Sequence, residues 1–332
     1  MHRVALGMGV RTIVASLASL LICHALGLEQ SYIAVLTAVI VTQASVGASL
    51  KAIIDRFIGS LGGAIWGVAI LFLLNRLDIH AEWVALTASI APLAFLSAVN
   101  PSFRAAPLTA IILLFTSSST HDPLTAALGR MLEITIGSVV ALAVALAVLP
   151  ARAHSTLSES ADRVLKSMGD LAAIILRSGS TSHPDFQRLH DEIRKSLTQT
   201  EAAAAEAFQE RNAHLTTAPD PLPFCRTLRR LRNDLTMIGR LNTDPLPDLA
   251  DAVTAVLRRS GEAILGHQPA PPLEAFESAL AQHTAEVADL RKSGATRPLP
   301  DETIGRIFGL TFALDQLHDN LKDLTDRLNE FR

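Results

Sequence analysis

The sequence predicts an all-α protein, with a polytopic membrane module of six transmembrane helices over residues 1–150 and a soluble helical bundle over residues 151–332. The distribution of charge is the first observation behind this prediction. Only seven of the 29 Lys and Arg residues, and six of the 32 Asp and Glu residues, lie in residues 1–150. The second observation is a series of apolar runs in that same stretch. A segment so poor in charge suits lipid, whereas one so rich in charge suits water.

Six apolar runs approach the length of about 17–25 residues that a membrane-spanning helix needs. They lie near Val10–Leu26, Tyr32–Ser49, Phe57–Leu74, Glu82–Val99, Ala105–Ser118 and Met131–Leu149. The fifth run is the shortest. An even number of spans places both ends of the module on the same side of the membrane.

Basic residues in the connecting segments predict which side that is. With the N-terminus inside, the inner segments hold Arg3, Arg11, Lys51, Arg56, Arg104 and Arg152. The outer segments hold Arg76 and Arg130. Cytoplasmic loops carry an excess of Lys and Arg, so we expect both termini in the cytoplasm. Tyr32 and Trp83 would then lie at the outer interface.

After residue 150 the apolar residues recur at helical spacing. This region is divided into about six helices by breaks rich in Pro or Gly near residues 179–184, 218–223, 244–247, 268–272 and 294–300. The last helix carries a short heptad-like seam: Leu314, Leu317, Leu321, Leu324, Leu328 and Phe331. Such a seam packs either inside its own bundle or against a second copy of the chain.

Two patterns recur between the first and second halves of the membrane module. Leu36–Val41 (LTAVIV) resembles Leu108–Leu113 (LTAIIL), 72 residues later. An Arg followed by a Gly seven residues on also occurs twice, 74 residues apart, as Arg56/Gly63 and Arg130/Gly137. Because three helices are an odd number, a repeated three-helix unit enters the membrane upside down the second time. The patterns therefore predict a 3+3 inverted repeat, which is typical of transport proteins.

Small residues recur at four-residue steps in the third and sixth spans: Gly59, Gly63, Gly67 and Gly137, Ala141, Ala145. This spacing favours close helix packing, and close approach of the backbone to a ligand is the alternative. In the predicted topology, Arg56 opens the third span and Arg130 opens the sixth. They either anchor helix ends or form, with Lys51, a cationic site for an anion, since a guanidinium fork matches a carboxylate.

Glu133 lies one helical turn after Arg130 and can pair with it. Acids inside membrane spans are rare and usually functional. Glu133 either neutralises Arg130 or takes up and releases a proton, as a proton-coupled carrier requires. Thr37, Thr42 and Gln43 are candidates to line the same path, or to hydrogen-bond between helices.

Several function classes lack support in the sequence. It contains no P-loop, GxSxG, HExxH or dinucleotide-binding glycine pattern, so we expect neither an enzyme nor a cofactor. The two cysteines, Cys23 and Cys225, form no CxxC or Cys/His cluster, so no metal site is expected. The small net charge of −3 does not indicate a nucleic-acid partner.

The stretch Tyr32–Gly67, YIAVLTAVIVTQASVGASLKAIIDRFIGSLGGAIWG, resembles the membrane module of the fusaric acid resistance and aromatic acid exporter family, which is related to the aluminium-activated malate transporters. The resemblance rests on the second span, the Gly47-Ala48-Ser49 turn and Arg56 followed by Gly59-Ser60. The family more often has Gly-Thr at the last of these. A six-span module followed by a soluble helical domain also matches the family's architecture.

This resemblance implies export or conduction of organic anions, aromatic carboxylates above all, across the cell inner membrane. Full-length exporters of the family often carry two six-span modules, so this chain is expected to form a homodimer or higher homo-oligomer. Three functions remain open: a proton-coupled exporter, a passive anion channel, and a non-transporting membrane anchor for a cytoplasmic interaction domain.

Overall fold

The chain folds into two compact units, Met1–Arg152 and Ala153–Arg332. A computed structural model describes residues 2–28, 31–43, 45–77, 81–117, 123–148, 153–178, 184–241, 244–296 and 298–331. These residues are almost entirely helical, and no β-strand occurs among them. Arg152 and the last residues of the fifth and sixth predicted spans lie outside the described residues.

In the N-terminal unit the described residues form six α-helices and one short 3-10 helix, Pro101–Phe103. The α-helices are α1 (His2–Ala25), α2 (Ser31–Val41), α3 (Val46–Arg76), α4 (Glu82–Val99), α5 (Ala106–Ser117) and α6 (Pro123–Ala147). Large apolar side chains such as Ile65, Phe72 and Phe95 are exposed on this unit. An apolar exterior of this kind is what a membrane helix bundle presents to lipid.

Helix length separates these six helices into two kinds. Among the described residues, three segments are long and apolar enough to cross a bilayer: Gly7–Ala25, Val46–Arg76 and Ala127–Ala147. Three shorter apolar stretches, within α2, within α4 and across the 3-10 helix and α5, are Ser31–Val41, Trp83–Val99 and Pro101–Phe115. At a rise of about 1.5 Å per residue, α2 and α5 are only roughly 16–18 Å long. Each of them covers about half of the roughly 30 Å hydrocarbon layer.

The second predicted span, Tyr32–Ser49, is wrong in its extent. Helix α2 ends at Val41, and α3 begins at Val46. The side-chain oxygen of Ser45 accepts a hydrogen bond from the backbone N–H of Ala48 at 3.0 Å, which caps the start of α3. Helix α3 therefore starts eleven residues before the predicted Phe57, because the charged residues that follow Ser45 are compatible with a helix.

The C-terminal unit contains six helices within its described residues. They are α7 (Ala153–Ser178), α8 (Asp185–Asn212), α9 (Pro221–Leu241), α10 (Pro247–Gly266), α11 (Glu274–Lys292) and α12 (Asp301–Glu330). All six contribute side chains to one large apolar core. Helix α7 packs against α8, α9 and α10, whereas α12 packs mainly against α9.

The leucine seam of the last helix belongs to this core. Leu314, Leu317, Leu321 and Leu324 have no exposed surface, and Phe331 is 6% exposed. The seam therefore packs inside its own bundle, which is the first of the two interpretations. A side chain already buried in its own unit offers no surface to a second copy, so the seam supplies no dimer contact.

A buried polar pair joins α9 to α12. The side-chain amide of Asn320 donates to Asp234 at 2.6 Å, and both residues are 8% exposed. Burial raises the pKa of the Asp234 carboxyl, and the hydrogen bond from Asn320 acts in the opposite direction. The amide therefore stabilises the ionised form of Asp234, which water can no longer reach.

Replacing Asn320 with Ala is expected to destabilise the C-terminal unit by about 1–3 kcal/mol, because Asp234 loses its buried partner. Since the folded-state pKa of Asp234 is raised, folding is weakened as the pH rises through that pKa. The loss should therefore be larger near neutral pH than in acid, where Asp234 is protonated. Thermal unfolding of the full chain in detergent, at neutral and at acidic pH, measures both the loss of stability and its dependence on pH. Asn329→Ala, which removes an exposed hydrogen bond to Ala270, is the matched control, and an equal loss in both variants would contradict the assignment.

Candidate functional site

The candidate site lies where α3 and α6 meet. Helix α3 packs against α5 and α6, and helix α6 packs against α1, α2 and α3. The short helix of each half thus packs against a long helix of the other half, α2 against α6 and α5 against α3. Helices α3 and α6, which carry Arg56 and Arg130, also pack against each other.

Two glycines make equivalent contacts at these crossings. A Cβ atom on Gly63 of α3 would lie 2.3 Å from the carbonyl oxygen of Ala106 in α5. A Cβ atom on Gly137 of α6 would lie 2.3 Å from the carbonyl oxygen of Ala34 in α2. Gly63 and Gly137 are 74 residues apart, and Ala34 and Ala106 are 72 apart, as in the two repeated patterns. Both positions require glycine because the backbones touch there.

The neighbouring small residues pack in the same way. A Cβ atom on Gly59 would lie 2.8 Å from the carbonyl oxygen of Ser102, and one on Gly67 would lie 3.1 Å from the side chain of Leu113. Ala141, at the position in α6 that matches Gly67, packs in a cluster with Ala38 and Val41. These contacts are between helices, so the structure gives the glycine stripe a packing role.

Arg56 and Arg130 lie inside their helices rather than at the ends. Arg56 is ten residues into α3, Arg130 is seven residues into α6, and each is 6% exposed. The charges of the two residues are close enough to repel each other. Both helices begin before the predicted apolar runs do, so each arginine lies within its helix rather than at its first residue. The two side chains lie near one another within the helix bundle.

Both guanidinium groups have unused hydrogen-bonding capacity. Among the described residues, Nε of Arg56 and both Nε and Nη1 of Arg130 are buried without a hydrogen-bond partner. Most buried N–H groups in proteins are paired, because an unpaired one loses its bond to water without replacement. Two neighbouring cations with unpaired donors form an environment that favours an anion.

Two further groups act directly on Arg130. Its guanidinium is hydrogen-bonded to Tyr32 at the start of α2, and the charge of Glu133 acts on it. Glu133 is 5% exposed and also acts on the buried thiol of Cys23 in α1. Sequence reasoning assigned Tyr32 to the outer interface and gave Cys23 no role. Tyr32 could not be placed beside Arg130 from periodicity, since the two residues lie on different helices, α2 and α6.

The remaining predicted site residues lie outside this cluster or serve local structure. Lys51 is exposed, five residues before Arg56 in α3. Thr37 is fully buried against Gly137. The Thr42 hydroxyl donates to the carbonyl oxygen of Ala38 at 2.7 Å, and the Gln43 side-chain amide donates to that of Ile40 at 2.9 Å. Both bonds satisfy backbone groups at the end of α2.

Other kinds of chemistry find little support in the described residues. They contain no group of three or more His, Cys, Asp or Glu side chains placed to hold a metal ion. Cys225 is buried in the C-terminal unit, where burial raises the pKa of its thiol to about 12. At neutral pH this thiol is therefore protonated and a poor nucleophile.

Comparison with known proteins identifies the family. A search of curated proteins finds no match to this chain. A family model does match it over residues 5–330, which covers both units. On this evidence the chain belongs to the fusaric acid resistance protein family and is a multi-pass membrane protein of a transporter family.

Proposed function

We propose that the chain carries organic carboxylates, aromatic ones above all, out of the cell through a site built on Arg56 and Arg130. The observation that supports this most is the pair of neighbouring buried guanidinium groups with unpaired N–H donors. An organic carboxylate loses its hydration when it enters a membrane protein, and fixed positive charges offset that loss. The planar fork of arginine also matches the two oxygens of a carboxylate.

The architecture we propose around this site is a 3+3 inverted repeat of six spans. The paired contacts of Gly63 with Ala106 and of Gly137 with Ala34 support it, as does the half-length helix in the middle of each trio. Substrate sites of inverted-repeat transporters lie near the interface of the repeats, where broken or short helices meet. We further propose an inner-membrane location, cytoplasmic termini and assembly as a homodimer.

Flux through purified protein tests the function. The full chain is reconstituted in liposomes loaded with an aromatic carboxylate such as benzoate, and an inside-negative potential is imposed. This potential favours exit of an anion by about 2.3 kcal/mol per 100 mV. We expect release well above that of protein-free liposomes and no protein-dependent release of a neutral solute that does not cross the bilayer unaided, such as mannitol. Equal release with and without protein would exclude both the exporter and the channel, and would leave the membrane-anchor alternative.

In this proposal Glu133 is the group that takes up and releases the coupled proton. When ionised, its carboxylate competes with the substrate's carboxylate for Arg130, whereas protonation leaves two uncompensated positive charges. Uptake of a proton by Glu133 should therefore strengthen anion binding, so that the proton and the anion move in the same direction. Export of one proton with one monovalent carboxylate moves no net charge, so it would be driven by the outward gradient of the carboxylate and neither by the membrane potential nor by an inward proton gradient.

Glu133→Gln is therefore expected to bind an arylsulfonate, which stays ionised throughout, with little dependence on pH. The wild-type protein should bind it more tightly in acid than near pH 8, because protonation removes the Glu133 carboxylate that competes for Arg130. Titration of the full chain in detergent by calorimetry measures both affinities. A wild-type affinity that is unchanged by pH would contradict proton coupling at Glu133 and favour the passive channel, which needs the arginines alone.

A further inference from the structure

The C-terminal unit contains a groove lined mainly by arginine. Helices α9 and α12 enclose a volume of about 450 Å³ whose polar lining is Arg226, Arg229, Arg230, Asn233, Asp323 and Arg327. Arg226, Arg229 and Arg230 are spaced by three and four residues, so they lie on one face of α9. Four cations and one carboxylate thus face the same space.

This concentration of positive charge is local. Helix α9 contains five arginines and no lysine, and its one acid, Asp234, is buried against Asn320. The C-terminal unit as a whole has more acidic than basic residues. A field of one sign in a concave site attracts counter-ions from solution.

Carboxylates outside the groove hold two of the arginines in place. Arg229 donates to Glu201 at 2.6 Å and Arg327 donates to Glu330 at 2.7 Å, and neither acid lines the groove, although Arg327 also lies 3.3 Å from Asp323, which does. Each guanidinium has five N–H donors, so these bonds orient the side chain and leave other donors available. The ordering of long side chains, which normally opposes ligand binding, is thus partly complete before a ligand arrives.

The two remaining arginines differ from each other. Arg230 is bonded to Asp323, the acid that lines the groove and that also accepts a bond from the Thr227 hydroxyl at 2.6 Å. Arg226 is exposed and forms no ion pair with any described residue. It also lines the adjoining groove beside Cys225 and Leu222. Arg226 is therefore the cation most available to a ligand.

We propose that this groove binds a phosphate group, carried either by an anionic phospholipid headgroup or by a soluble phosphorylated compound. Clustered guanidinium forks bind phosphate oxygens with paired charge-assisted hydrogen bonds. Arginine rather than lysine at all four positions fits such geometric recognition. The site is separate from the anion path of the N-terminal unit and does not depend on it.

Two probes distinguish the sources of phosphate, both used with the full chain in a neutral detergent. Inorganic pyrophosphate represents a soluble ligand, and short-chain phosphatidylglycerol, compared with phosphatidylcholine of the same chain length, represents a lipid. Arg226→Ala should weaken binding of the preferred probe roughly tenfold or more, because one charge-assisted contact is lost. Arg240→Ala removes an exposed arginine beyond the groove on the same helix and should leave binding unchanged.

Each outcome has a definite meaning. Pyrophosphate binding that depends on Arg226 assigns a soluble ligand, and a dependence seen only with phosphatidylglycerol assigns a lipid headgroup. Arg226 has no ion pair with a described residue to lose, so its variant should melt like the wild type, and thermal unfolding of the same samples checks this. Binding of neither probe, or equal weakening by Arg226→Ala and Arg240→Ala, would overturn the proposal.

Discussion

Arg56→Ala and Arg130→Ala should each reduce carboxylate flux by roughly 100-fold or more. Each change removes half of the buried cationic pair and leaves a dehydrated carboxylate with one partner fewer. Truncating one member of a buried, hydrogen-bonded charge pair typically weakens the interaction by about 2–5 kcal/mol. Benzoate release from liposomes, normalised to the amount of reconstituted protein, measures the effect.

Arg76→Ala provides the matched control for these two variants. Arg76 is also in α3, but it is exposed in the last turn, where its guanidinium lies 5.8 Å from the ring centre of Phe72. It is placed as an anchoring arginine is expected to be. We expect near-normal flux, and a loss as large as that of Arg56→Ala would mean that any arginine in α3 matters only for insertion or folding.

Gly63→Ala and Gly137→Ala have the second large expected effect, on folding rather than on transport alone. At both positions the new methyl group would lie 2.3 Å from a carbonyl oxygen, closer than such atoms approach in real proteins. The obstacle is backbone, so a side-chain rotation cannot relieve it, and the crossing helices must separate. We expect both variants to lose most of the monodisperse protein seen for wild type in size-exclusion chromatography.

Gly129→Ala is the control on the same helix as Gly137, because nothing lies within 4 Å of a Cβ atom at Gly129. An alanine there should be neutral or stabilise the helix by about 0.5–1 kcal/mol. Normal folding of Gly137→Ala would show that α2 and α6 do not pack as closely as described. A large difference between Gly63→Ala and Gly137→Ala would argue against equivalent roles in two repeats.

Much of the helical architecture could be predicted because it follows from patterns within single helices. The fourth predicted span, Glu82–Val99, coincides with α4, and the fifth, Ala105–Ser118, begins one residue before α5, while its last residue lies outside the described residues. The seven-residue spacing of Arg and Gly recurs in α3 and α6, whose Gly63 and Gly137 lie against the backbone of α5 and α2. The extent of an apolar helix and its close packing against a neighbour can both be predicted, because run length and small-residue spacing are visible in the sequence itself.

The helix boundaries near Ser45 were mispredicted because run length ignores capping. Thr42, Gln43 and Ser45 are polar enough to end one helix and cap the next, yet the apolar residues on either side read as one continuous span. The N-cap preference of serine is the signal that could have located this break. The early start of α3 is also why Arg56 is buried inside the bundle rather than placed at its edge.

The composition of the candidate site could be predicted only in part. Arg130 and Glu133 are one turn apart on one helix, so their proximity follows from helical geometry. Tyr32 and Arg56 reach Arg130 from two other helices, and no periodicity within a helix reports such contacts. The burial of the leucine seam in α12 likewise depends on α9, which packs beside it.

The central claim, that Arg56 and Arg130 recognise the transported carboxylate, is tested most directly by lysine in place of each arginine. Lysine keeps the charge and anchors a helix end as well as arginine does, but it lacks the two-pronged fork. With membrane insertion verified separately, we predict that Arg56→Lys and Arg130→Lys each lower benzoate flux roughly tenfold, while the alanine variants nearly abolish it. Normal flux through both lysine variants would contradict recognition by the guanidinium groups and leave anchoring as their role.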